Sequence, residues 1–315
     1  MTKNVPPPPD NPALQNWLRT ILAVLAFAAT LGVLALACVY VTSEAVIQRR
    51  YPLASTTAHA KLTEKLIRRG GHLVTVGGCT DCHGSDLEGR LMHAETPLPV
   101  YADNLLRAAQ TMSDGELERA MRYAIRPDAT SMWVMPAGNY TYMSEDDVAA
   151  IISYLRSLPP AGVVHPPPQF GFAARLALLR GTVRPALLVA VDDPASLDLG
   201  PRYDGGRYLA RITCGECHGT DLKGQGAAPD LARVALYSRP AFFSLLRRGL
   251  GSDGRMLPAM HRLARVRFRA FADYEIMALY DYLDARAHAP ADVVARAEAL
   301  RRHEENQRRL SETPQ

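Results

Sequence analysis

The feature that most constrains this chain is a five-residue motif that occurs twice. Gly70-Gly71-His72-Leu73-Val74 leads to Cys79-Thr80-Asp81-Cys82-His83-Gly84-Ser85-Asp86-Leu87-Glu88-Gly89. Gly205-Gly206-Arg207-Tyr208-Leu209-Ala210 leads to Cys214-Gly215-Glu216-Cys217-His218-Gly219-Thr220-Asp221-Leu222-Lys223-Gly224. The copies match almost position by position, which is the mark of a duplicated unit. C-x-x-C-H is the attachment signature of c-type haem. Two thiols one helical turn apart can add to the two vinyl groups of one porphyrin, and the adjacent imidazole reaches the iron. A lone C-x-x-C also occurs in redox-active dithiols and as half of a zinc site. The first needs a strand–helix context and the second needs further ligands nearby, and neither accompanies these motifs. The expectation is two covalently bound haem c groups, held by Cys79, Cys82, Cys214 and Cys217, with His83 and His218 as proximal iron ligands.

The remaining cysteine, Cys38, lies in a different kind of segment. Thr20 to Ser43 is a run of 24 residues without a charge. At about 1.5 Å per residue a helix of that length crosses a bilayer core of about 30 Å. The reading is a single transmembrane anchor over residues 18–43, with membrane lipid around it and Cys38 as a small lipid-facing residue. A cleaved signal peptide is the alternative, with Ala35-Leu36-Ala37 as its cleavage site, but apolar character continues past it through Cys38 to Val41. Lipidation of Cys38 is disfavoured because Ala35 is a poor start for a lipobox. Lys3 and Arg19 before the span and Arg49, Arg50 and Lys61 after it give no positive-inside bias. The motifs decide the orientation instead, since this kind of haem attachment takes place outside the cytoplasm. Residues 1–17, with Pro6 to Pro9, form a cytoplasmic proline-rich tail, and the remainder is periplasmic on the inner membrane.

Composition supports this and excludes other classes. The net charge of +4, with no basic block interleaved with aromatics, gives no nucleic-acid footprint. Aromatic content of 7% is low for a chain that must fill cores, and a large flat cofactor would supply apolar surface. The fold class expected is all-α. Both halves close on apolar residues at helical spacing, Asp147 to Leu155 and Glu275 to Leu283. The expected units are 60–160, a linker over 161–201 ended on one side by Pro159, Pro160 and Pro166–Pro168, 202–290, and a charged helical tail over 291–315. Phe170 to Val191 reads as an inter-domain helix backing one haem unit, or as a basic amphipathic segment on the membrane surface.

An electron-carrying haem iron takes a second axial side chain, and methionine there raises the potential relative to a second histidine. Met135 beside Pro136 and Met260 beyond Pro258 are the expected distal ligands, each placed in a loop before the closing helix. Met132 and Met143 compete in the first half and Met256 in the second. Bis-histidine ligation through His72, His93 or His261 is a further alternative.

The run Cys-Thr-Asp-Cys-His-Gly, then Met135-Pro136, then Ser144-Glu145-Asp146-Asp147-Val148-Ala149-Ala150-Ile151-Ile152-Ser153-Tyr154-Leu155 resembles the membrane-bound multihaem cytochromes c, including the cytochrome subunits of periplasmic dehydrogenases. The second half, with Met260, Arg267-Phe268 and Glu275 to Leu283, is similar to the same class I domains. The resemblance covers residues 62–160 and 202–286. It implies two tandem class I cytochrome c domains behind the transmembrane helix, and a carrier rather than an enzyme. Its partners would be protein redox partners: a donor dehydrogenase or quinol-oxidising complex and a respiratory acceptor such as an oxidase or soluble cytochrome. Those subunits often carry three haems and a C-terminal anchor, whereas here there are two motifs and an N-terminal span. A haem-bearing subunit of a terminal oxidase, and a dihaem enzyme of the peroxidase or thiosulfate dehydrogenase type, are the alternatives.

Overall fold

The computed structural model describes residues 12–52, 55–92, 98–192, 196–295 and 299. It is a mostly helical chain. In order come α1 (Pro12–Ile47), α2 (Glu64–Val76), α3 (Cys79–His83), α4 (Leu105–Thr111), α5 (Asp114–Tyr123), α6 (Glu145–Ser157), α7 (Phe172–Leu179), α8 (Ala186–Asp192), α9 (Asp204–His218), α10 (Arg239–Arg248), α11 (Pro258–Val266) and α12 (Asp273–Ala287). A two-residue antiparallel pair, Arg90–Leu91 against Tyr101–Ala102, follows α3. His93 and the tail from 301 onward lie outside the described residues, as do the first eleven.

One unit holds α1 and residues 170–183. Helix α1 outruns the expected span at both ends. Pro12 pre-sets the helical φ at the first position, and no breaker intervenes before Gln48. Within it Asn16–Ile47 is long and apolar enough to cross a membrane. Hydroxyl groups in that stretch are satisfied within the helix itself. The hydroxyls of Thr20, Thr30 and Thr42 donate to the carbonyls of Asn16, Ala26 and Cys38, four residues back. Helix α7 packs on the C-terminal part of α1 through Arg175. Its guanidinium donates to Ser43 Oγ at 2.9 Å and Glu44 Oε2 at 2.8 Å and lies 4.7 Å from the Tyr40 ring centre. The single helix expected over Phe170 to Val191 is therefore two helices, parted where Gly181 adopts φ +74° and Pro185 forbids continuation.

The second unit holds residues 49–169 and 184–315 and contains both motifs. Two helix crossings form its centre, α2 on α6 and α9 on α12. Leu73, Val74, Val76, Val148, Ile151 and Ile152 fill the first, and Leu209, Ile212, Ile276, Leu279, Tyr282 and Leu283 the second. Each crossing turns on one glycine. A Cβ on Gly70 would sit 2.0 Å from the Ala150 oxygen, and one on Gly206 would sit 2.1 Å from the Ala278 oxygen. The helices approach this closely only because neither residue has a side chain. Counting back from the cysteines in sequence pairs Gly71 with Gly206, but the structure pairs Gly70 with Gly206.

The two halves of this unit share one continuous apolar core. Polar contacts join them as well. Asp147 accepts two hydrogen bonds from Arg69, at 2.8 and 2.9 Å, and one from the Tyr208 hydroxyl at 2.7 Å. His72 Nε2 lies 2.8 Å from Glu275 Oε1, whose side chain is buried. The start of the linker is pinned to the first half: Asn104 Nδ2 donates to the carbonyls of Ala161 and Val163.

Candidate haem-attachment sites

The two motifs have the same backbone trace, down to unusual torsions. After each histidine a glycine takes positive φ, Gly84 at +85° and Gly219 at +77°. Three residues later a buried leucine sits in the left-handed region, Leu87 at +63° and Leu222 at +64°. That conformation is costly for a branched side chain, and its recurrence marks a turn that both sites require. The hydrogen bonds match too. Gly89 N donates to His83 O at 2.7 Å, and Gly224 N to His218 O at 2.8 Å. Each turn brings a carbonyl from a later loop onto the imidazole: His83 Nδ1 lies 2.7 Å from Asp103 O, and His218 Nδ1 lies 2.7 Å from Pro229 O. Only a protonated nitrogen can approach a carbonyl so closely, so Nδ1 carries the proton and Nε2 is left as the coordinating atom. Burial lowers the pKa of both histidines, outweighing these carbonyls, and holds the rings neutral as a metal ligand must be.

Cys79 and Cys82 sit on α3, and Cys214 and Cys217 at the end of α9. Burial pushes Cys79 up to about 12 and Cys82 up to about 11, and raises Cys214 and Cys217 as well. Beside the first motif is an apolar cleft enclosing about 920 Å³ of atom-free space including its mouth. Val74, Cys79, Cys82, His83, Met132 and Met135 are among the residues on its wall. Paired thiols, a neutral imidazole with its outer nitrogen committed, and thioether side chains around an apolar cleft are the donor set of a covalently held haem. They do not suit zinc: among the described residues no three His, Cys, Asp or Glu side chains converge as a bare-metal site.

The family model for cytochrome c matches residues 67–159. Residues 67–159 are a cytochrome c domain. The chain is 25% identical over 177 residues to the gluconate 2-dehydrogenase cytochrome c subunit of Pantoea cypripedii, covering 51% of this chain and 40% of that protein. It is 24% identical over 169 residues to the diheme cytochrome c-type protein of Cereibacter sphaeroides, covering 48% of this chain and 56% of that one. The chain thus spans about half the length of these curated relatives. Domains of this family hold haem c covalently and transfer electrons.

Among the methionines of the cytochrome c domain, Met112, Met121, Met132 and Met135 all line its cleft, whereas Met143 is buried in the apolar core and is absent from the cleft wall. In the second half, Met260 is not in a loop as expected but in the first turn of α11, with Pro258 as the first residue of that helix. It packs against the core, while Met256 points into solvent, 58% exposed. His72 is engaged with Glu275 rather than placed on the cleft wall, and His261 Nδ1 lies 2.7 Å from Arg248 O. The sequence names Arg267 only within the resemblance and gives no sign of the contacts it makes. Arg267, 2% exposed, directs its guanidinium onto Asp81 and Glu216, the same interior position of the two C-x-x-C-H motifs. An acid in that slot of both copies is the part of the arrangement visible in the sequence.

Proposed function

We propose that this chain is a dihaem c-type cytochrome that relays electrons between a donor dehydrogenase or quinol-oxidising complex and a respiratory acceptor. One observation carries the reading: two attachment motifs with matching geometry meet within one folded unit, their interior acids sharing a single buried arginine. Haem supplies the one-electron chemistry, and the protein sets its potential through axial ligands and burial. Cys79 and Cys82 hold one group and Cys214 and Cys217 the other, as thioethers. His83 and His218 would bind the iron, with Asp103 O and Pro229 O fixing ring orientation. Met135 and Met260 would complete the ligation of the two irons.

Helix α1 anchors the chain in the inner membrane, and the haem-bearing unit works on the periplasmic side. The likeness to a subunit of gluconate 2-dehydrogenase favours a dehydrogenase as donor. The test is mild solubilisation of native membranes, a native gel stained for covalent haem, and identification of co-migrating chains. Co-migration with a dehydrogenase supports the reading. Co-migration with a terminal oxidase instead makes the chain that complex's electron inlet. A haem content of one per chain would refute the relay.

A further inference from the structure

Arg267 lies between α11 and α12, yet its side chain reaches both motifs. Nη2 donates to Asp81 Oδ2 at 2.6 Å and to Glu216 Oε2 at 3.0 Å, and Nε donates to the same Asp81 oxygen at 3.0 Å. Nη1 donates to Thr213 O, the residue before Cys214, at 3.2 Å. On the other side Gly78, the residue before Cys79, lies so close that a Cβ there would overlap the guanidinium at 2.0 Å. Both motifs are therefore gripped at matching places by one planar cation. The arrangement exploits the rigid fork of an arginine, which a lysine cannot reproduce. Burial works against its charge, but Asp81 and Glu216 outweigh this and hold it protonated.

We infer that Arg267 is the positioning residue for electron transfer between the two haems: it fixes one attachment motif against the other and makes the two potentials rise or fall together. The inference rests on the relay reading above. Its first half follows from covalency, because a haem bound through thioethers moves with its motif, so whatever ties motif to motif ties haem to haem. Its second half follows from charge. A cation bordering both motifs disfavours the more positive, oxidised state of each iron, and the two carboxylates do the opposite. In the step served, one iron is oxidised as the other is reduced by one electron, while Arg267 exchanges neither electron nor proton.

The test uses the full-length holoprotein in detergent, with haem counted and both midpoint potentials titrated. Arg267→Leu removes the cation and leaves two carboxylates facing each other. Both midpoint potentials are expected to fall by about 59 mV, a tenfold rise in the oxidised-to-reduced ratio at fixed ambient potential for one electron. The double variant Asp81→Asn with Glu216→Gln keeps the arginine and is expected to raise both, which keeps the test informative if the leucine variant folds poorly. Arg267→Lys retains charge and loses the fork. It should keep potentials near wild type while slowing transfer between the haems about tenfold after rapid photoreduction of one of them. Movement of only one couple, of neither, or in the same direction for the cation and carboxylate variants overturns the inference. A wild-type chain with a single haem removes the relay reading itself, a failure that haem counting registers before any potential is measured.

Discussion

Replacing Gly206 with alanine should destabilise the second half, while the same change at its neighbour Gly205 should not. Both residues lie in the first turn of α9, and both gain helix propensity as alanine, worth up to about 1 kcal/mol. They differ in what a Cβ would meet. At Gly206 it would lie 2.1 Å from the Ala278 oxygen, 2.8 Å from the Ala278 carbonyl carbon and 2.7 Å from Tyr282 Cβ, whereas at Gly205 nothing lies within 4 Å. Two of the three obstacles at Gly206 are α12 backbone, which no rotamer change relieves. Reaching ordinary contact needs α9 and α12 to part by more than about 1 Å, along a seam sealed by Leu209, Ile276, Leu279 and Tyr282. Overpacking of this kind costs about 1–3 kcal/mol, and a backbone obstacle puts it at the upper end. After the propensity gain the net loss is about 2 kcal/mol. For a unit of this size each kcal/mol moves the melting temperature by about 2–4 °C. Gly206→Ala should therefore melt about 4–8 °C lower by far-ultraviolet circular dichroism, and Gly205→Ala a few degrees higher. Equal melting temperatures for the two variants, or a Gly206→Ala protein as stable as wild type, would refute the claim that this crossing is set by the absent side chain.

Other outcomes follow from the sites and from the contact between the halves. His83→Ala and His218→Ala should each abolish one low-spin haem signal and leave the other, and retention of both spectra would sink the two-site assignment. Met135→Ala should lower the potential of one haem and turn it partly high-spin, while Met132→Ala should leave ligation intact; the reverse result moves the ligand to Met132. Glu275 gives a pH dependence. Burial would raise its pKa, but hydrogen bonds from His72 and the Ala272 N–H, with the nearby charges of His72 and Arg69, lower it below 4.5. A carboxylate depressed in the folded state contributes stability above its unfolded pKa and loses it as the pH falls through the folded value. Melting temperature should therefore drop as the pH is taken below about 4.5, and Glu275→Gln should flatten that drop while costing about 1–3 kcal/mol at neutral pH.

What could be read in the sequence was what is local along the chain. C-x-x-C-H carries its own chemistry in five residues, an uncharged run announces a long apolar helix, and the closing helices show apolar spacing without any partner being known. The proline beside Met260 misled for a physical reason. A proline suits a loop, but at the first position of a helix its missing N–H is no loss, so Pro258 begins α11 and Met260 lies in its first turn. The packing of α7 on α1 was out of reach because the two are more than a hundred residues apart in sequence. Arg267 was out of reach for the same reason, lying 186 residues from Asp81 and 51 from Glu216.

The duplicated unit is also not a simple copy, and its one departure explains how an arginine fits between two otherwise matching motifs. Gly70 stands nine positions before Cys79, whereas its structural counterpart Gly206 stands eight before Cys214. In the second copy α9 runs unbroken from the crossing glycine into the motif. In the first copy the additional residue cannot be absorbed by a regular helix, which turns about 100° per residue. The chain leaves α2 at Gly77, passes through Gly78 at φ +86° and starts α3 afresh at Cys79. Tyr140 secures that break by donating from its hydroxyl to Gly77 O at 2.8 Å. The break leaves a glycine with no side chain where the guanidinium arrives, while the matching residue of the unbroken copy, Thr213, offers it a carbonyl. A similar trade occurs one residue into each motif. Thr80 has a side chain, but Gly215 needs none, because a Cβ there would lie 2.8 Å from Asn139 Oδ1 of the other half. Two identical copies would present the same surface to each other and have no single place for one arginine. The inserted residue breaks that symmetry, and the asymmetry lets one cation serve both motifs.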